Sequence, residues 1–411
     1  MNTLDVISVL AATAALFGWI SARFLKLPIT VGTMLLTVLA SMAMEGAGTL
    51  APGIHQWAVH LSDQIDFHSL ILHGMLPLLL FAGTFMLDLR ELAKQKLAIS
   101  LFALVGTVLS VFLVAGLMEL LFAGKTPWIE CLLFGALIAP TDPIAVLEML
   151  RRTGVPNTIQ TQLAGESLFN DGIGAVLFIT LLDAARGQQP TFWNVSGMLL
   201  LKAGGGILLG TGAAWIASHL MRRLNAYQVD ILITLALALG GYAIAEASHL
   251  SGPLEAVAAG IALRCFNRNQ PSERVAHDSV NGFWSVVDEV QNSLLFVLLG
   301  LEIMAVTLNG HTLRVGAAAI LAVDLVRLAA VALLLGLLRW LRPRQPSSMF
   351  VLTWGGLRGG LSIALALSVP ASLGRSWILG ATYLVVVFSI VIQGGSMDWI
   401  LRRTRRKHVT A

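Results

Sequence analysis

Charge is scarce in this sequence, and cysteine more so. Only 12% of the 411 residues are Asp, Glu, Lys or Arg, about half the share of an ordinary soluble domain. No soluble domain and no low-complexity tract stands out. The two cysteines, Cys131 and Cys265, fall in or at the edge of apolar stretches, which is weak support for a disulfide and none for a metal site. Enzyme signatures are missing as well: there is no phosphate loop, no His/Cys metal spacing and no nucleophile elbow, and no cofactor is implied. GGGILLGTG at 204–212 imitates a nucleotide loop but sits in an apolar run with no strand, so Gly206 and Gly210 read as a GxxxG helix contact. The N-terminus MNTLD carries an acid, no basic residue and no following small-residue cleavage site. Its apolar run therefore reads as a retained transmembrane helix and not as a signal peptide.

What is abundant is hydrophobicity, at 56% of residues with mean hydropathy +0.79. Apolar runs long enough to cross a bilayer core of roughly 30 Å recur throughout. The pattern is that of an all-α polytopic membrane protein with about thirteen spans: 4–22, 28–44, 68–86, 97–122, 127–150, 159–184, 196–220, 227–248, 253–268, 281–305, 312–339, 347–370 and 376–401. Twenty of the 27 Lys and Arg follow odd-numbered spans, among them Arg90, Lys94, Lys96, Arg222, Arg223 and the run RRTRRK at 402–407. By the positive-inside rule the N-terminus lies outside and the C-terminus inside. The net charge of +4 is thus a matter of topology, and no nucleic-acid partner is implied.

An odd span count with a central seventh suggests two inverted six-helix repeats, 1–184 and 227–401, joined by span 196–220 and followed by a short basic cytoplasmic tail, 402–411. The fifth span of each half is interrupted: APTDP (139–143) in one, WGGLRGG (354–360) in the other. Broken helices at matching positions are where transporters build their sites.

The polar residues within spans carry the chemistry. Pro140 and Pro143 lack N–H groups and free the carbonyls of Ala136 and Ala139. With Thr141 and Asp142 these form hard oxygen ligands suited to a small monovalent cation. In GESLFNDGIGAVLF (165–178), Glu166 and Asn170 are i,i+4, as are Ser167 and Asp171, so four polar groups share adjoining helix faces. A carboxylate in mid-membrane costs about 2.5–3.5 kcal/mol on insertion scales, so packing alone explains these acids poorly. Burial favours the protonated carboxyl and a bound cation the ionised one; a site holding either, but not both, is the basis of exchange. Arg358, set between glycine pairs, offsets the ends of interrupted helices or neutralises an acid. Arg327 pairs either with Asp324 on its own span or with Glu166 across helices. Glu246, His249 and Glu255 read as capping or interface residues near an outer turn, and Lys202 as snorkelling outward. Asp288 and Glu289 open span ten and Glu302 closes it, where a funnel would lie. In the 45–67 loop and just after it, His55, His60, Asp63, Asp66 and His68 either belong to a surface amphipathic segment or sense metal or pH.

GALIAPTDPIAVLEMLRRTGVP, GESLFNDGIGAVLF, FWSVVDEVQNSLLFVLLGLEI, TWGGLRGGLSIALALSVP and YLVVVFSIVIQG together resemble the NhaP-type sodium/proton antiporters, the electroneutral branch of the monovalent cation:proton antiporters, from about residue 70 to residue 400. The resemblance implies a thirteen-helix inverted repeat with crossed interrupted helices. It also implies a homodimer in the bacterial inner membrane whose core slides against the dimer interface. Asp171 would bind the ion and the proton, with Asp142 its partner. Thr141, Glu166 and Ser167 would complete Na+ coordination, and Asn170 would mark 1:1 exchange. Arg358 would stabilise the crossing, and Arg327 would hold Glu166 and Asn170. Exchange of cytoplasmic Na+ or Li+ for external H+ follows, with K+/H+ exchange the nearest alternative and a cation channel or pH sensor a more remote one. Leu78 stands where relatives often carry a second proline, and an acid that some carry in that span is missing.

Overall fold

The computed structural model describes residues 3–25, 29–46, 67–142, 146–147, 150, 155, 157–186, 192–223, 226–267, 274–301, 309–341, 347–397 and 401. The fold is helical, with no strand among the described residues. Lipid offers the backbone no hydrogen bonds, so each crossing segment must satisfy its own amides, and helices do that. Among the described residues eight helices are long and apolar enough to cross a membrane by length and composition, and shorter apolar helices occupy Ile29–Met44, Leu70–Phe85 and Trp128–Ile138. Helix is found within every span expected from the sequence. The His55, His60, Asp63 and Asp66 loop, the side chain of His68, Glu302 and the RRTRRK tail lie outside what is described.

Three expectations need correcting. The fourth span starts at Leu89 and not near 97, because Asp88 caps it by accepting the Arg90 N–H at 2.8 Å. Arg90, Lys94 and Lys96 therefore ride on a helix and not in a loop. Lys202 turns inward and pairs with Asp183 at 2.7 Å. For Glu255 the capping option fails and the interface one holds. Ser251 accepts the Leu254 N–H at the start of Gly252–Phe266, while Glu255 is fully buried against Gly210 and Gly241 of neighbouring helices, its carboxylate without a hydrogen-bond partner among the described residues.

Burial follows the logic of a protein dissolved in lipid. Leu200, Leu201, Leu208 and Trp215 of Phe192–Met221 are each more than 60% exposed. In Trp128–Ile138, by contrast, every side chain from Glu130 to Ile138 is buried. Helix Asn157–Arg186 passes against this enclosed arm. The interrupted backbone thus lies where protein surrounds it, the condition under which irregular chain is tolerated at membrane depth.

Candidate functional site

Two chain breaks meet at the centre of the molecule. The first arm, Trp128–Ile138, stops before Pro140, and residues 140–142 leave helical geometry. The second, Ser347–Trp354, gives way to glycine-rich chain at 355–359 before Gly360–Leu367 resumes. The Asp142 N–H donates to the Leu357 carbonyl at 2.7 Å, so the breaks are joined directly by backbone. Arg358, 3% exposed, donates from Nη1 to the carbonyls of Ala139 (2.5 Å) and Pro140 (3.0 Å). These oxygens belong to the C-terminal end of the first arm, where unsatisfied carbonyls concentrate negative potential. Of the two readings for Arg358, the geometry realises the helix-end one. Glycine permits the close approach: a Cβ on Gly359 would meet the Asp142 side chain, and one on Gly174 the Pro140 ring.

Around this crossing lies a clasp of neutral groups. Asn170 accepts the Thr141 N–H on Oδ1 at 3.1 Å and donates from Nδ2 to Thr141 Oγ1 at 2.8 Å. Thr141 Oγ1 and Ser167 Oγ are 2.9 Å apart, and all three residues are buried. One turn of Asn157–Arg186 thereby grips the first residue beyond Pro140.

Arg327 takes the interhelical option. Its Nη1 pairs with Glu166 Oε1, while Nε and Nη2 donate to the Leu352 carbonyl at 3.2 and 2.9 Å. It thus ties Asn157–Arg186 to the end of the second interrupted arm. Asp324 instead accepts from Gln393 Nε2 at 2.8 Å. Gln393 Oε1 accepts from Ser389, whose Oγ in turn accepts the Arg358 N–H at 2.9 Å. Ser389 and Gln393 lie in a π-helical stretch, Phe388–Gly394, a geometry that often marks functional positions. The expectation that Arg327 also holds Asn170 is corrected: among the described residues Arg327 bonds Glu166 and Leu352 and not Asn170, whose amide bonds Thr141.

A cavity of about 570 Å³ opens beside the crossing. Asp142 and Asp171 line it, with Asp288, Glu289 and Asn292 from Arg274–Leu301 and Ser362 from the second interrupted helix. Thr141, Glu166, Ser167 and Asn170 are not among its lining residues. The six expected ion-binding residues therefore divide: two carboxylates face the cavity, and four polar groups bind one another or Arg327 behind it. The cavity offers carboxylate, hydroxyl and amide oxygens, hard donors that suit hard cations and protons. Sequence reasoning passed over Ser389, Gln393, Asn292 and Ser362. Only Asn292 carried a signal, one helical turn after Asp288; small hydroxyls in apolar helices look like ordinary packing.

These features define a multi-pass membrane protein of the crossed, interrupted-helix class. The chain belongs to the sodium/hydrogen exchanger family, whose transmembrane model it matches over residues 11–403. It is 36% identical to the Na+/H+ antiporter NhaP of Pseudomonas aeruginosa, covering 97% of this chain and 96% of that protein. It is 32% identical to the Na+/H+ antiporter NhaH of Halobacillus dabanensis, with 93% of each chain covered. Its fold matches that of the sodium proton antiporter MjNhaP1 from Methanocaldococcus jannaschii at pH 8, with TM-score 0.76 and 18% identity over 98% of this chain and 99% of that one.

Proposed function

We propose that the protein is a secondary antiporter exchanging cytoplasmic Na+ or Li+ for external H+ in a bacterial inner membrane. The observation that carries this reading is the pair Asp142 and Asp171 lining one cavity at the crossing of two broken helices. A proton and a cation compete for Asp171, and Asp142 shares the charge of the bound ion. Occupation by one excludes the other, so the protein moves between its two exposures loaded with either. The names of the relatives support sodium as the ion.

Exchange is one for one, because position 170 holds an amide and not a second acid, and that amide is committed to Thr141. Thirteen crossings in two inverted repeats, an external N-terminus, a cytoplasmic C-terminus and a homodimer with a sliding core complete the proposal. Glu166, Ser167 and Thr141 shape the site from behind the cavity wall and meet the ion only if transport rearranges that wall.

Purified protein in liposomes with an imposed pH gradient tests this. Na+ or Li+ should each move protons, and Asp171→Asn or Asp142→Asn should abolish that movement. Normal exchange by both variants would remove the site, and coupling to K+ alone would replace the ion. An imposed membrane potential should leave the wild-type rate unchanged. Acceleration by the potential would sink one-for-one exchange.

A further inference from the structure

Three residues that line the cavity each carry a neutral oxygen with no hydrogen-bond partner among the described residues: Thr30 Oγ1, Asn292 Oδ1 and Ser362 Oγ. Their residues are 8%, 3% and 1% exposed, so each is buried in the body of the protein, and each lines the same cavity as Asp142 and Asp171. They come from three elements: Ile29–Gly46, Arg274–Leu301 and Gly360–Leu367. These adjoin, since Arg274–Leu301 packs on both of the others and Gly360 lies against Leu295, less than one turn beyond Asn292. Buried polar atoms are costly to leave unmatched and are normally hydrogen-bonded. Three on one wall, beside two acids, call for a ligand that accepts oxygen donors.

We propose that Thr30, Asn292 and Ser362 form a neutral-oxygen station where an incoming monovalent cation trades part of its hydration shell before reaching Asp142 and Asp171. A small hard cation needs several oxygens at once, and two carboxylates alone cannot replace the water it sheds. Neutral oxygens do this without adding charge, so the cation is dehydrated without being trapped. Asp288 and Glu289, on the helix that carries Asn292, also line the cavity and raise the local cation concentration. The inference rests on the proposed antiport and adds to it a second set of ligands.

The test measures initial exchange rates against Na+ concentration in liposomes for wild type, Thr30→Val, Asn292→Leu and Ser362→Ala. Each variant removes one oxygen while keeping similar bulk. The expected result is an apparent KM for Na+ raised about threefold or more per oxygen, the scale of one net hydrogen bond, with a smaller change in Vmax. Thr30→Ser, which restores the oxygen, should recover most of the loss. The proposal is overturned if KM stays within about twofold of wild type in all three, or if Vmax alone falls, which marks a packing role. Failure of the wild type to couple Na+ to protons would instead remove the antiport reading itself.

Discussion

Glu166 and Asp171 lie five positions apart on one helix, yet their surroundings differ in kind. Glu166 is 1% exposed and paired with Arg327, whereas Asp171 opens to the cavity. Removing one partner of a buried ion pair leaves the other charge uncompensated, at a cost of about 3–5 kcal/mol. Arg327→Ala should therefore lower the thermal unfolding midpoint in detergent well below that of Asp324→Ala. Among the described residues the latter loses one hydrogen bond, from Gln393, on the order of 1 kcal/mol. Equal shifts would contradict the interhelical pair. Which of its two candidate partners Arg327 takes was not legible in the sequence, because Asp324 and Glu166 satisfy the same electrostatics. The choice depends on how the fold places Gly310–Leu341 relative to Asn157–Arg186, so that the Arg327 side chain reaches a residue 161 positions away.

The interrupted helices show what spacing does reveal. Proline at 140 and glycines at 355, 356, 359 and 360 announced both breaks, and the helices stop at those places. That the breaks bond to each other, Asp142 to Leu357, could not be read from either stretch alone. Their closeness makes a prediction about Gly359. Its φ of −122° is open to any residue, so substitution there is a matter of space and not of backbone strain. In Gly359→Ala the new methyl would press on the Asp142 side chain. Overpacking of this kind costs about 1–3 kcal/mol, and the displaced carboxylate should depress exchange more than folding. A variant with wild-type transport in liposomes would show that the crossing has room to spare.

Competition between proton and cation, as proposed, has a consequence for the whole transporter. Lowering pH fills the acid with protons, so the apparent KM for Na+ should rise as pH falls. The rise approaches about tenfold per pH unit once most sites are protonated. A KM independent of pH, measured with equal pH on both sides of the liposome, would exclude a shared site. At this scale the fold follows from hydrophobic run lengths, because lipid leaves the chain few choices besides helix. Helix ends followed less well: Asp88 extends one helix to Leu89, and a cap is a local hydrogen bond that hydropathy does not register.

The sequence by itself determined the helical class, the two breaks and the short list of membrane acids, since all three arise from local chemistry: apolar runs, missing N–H groups and rare charges. Tertiary structure decided which polar groups face the cavity. Thr141, Ser167 and Asn170 satisfy one another, Glu166 satisfies Arg327, and only Asp142 and Asp171 of the expected set remain on the wall. Thr30, Asn292 and Ser362 join them there from helices distant in the chain. A buried oxygen's role depends on what lies within about 3 Å of it, and in this protein that neighbour comes from another segment.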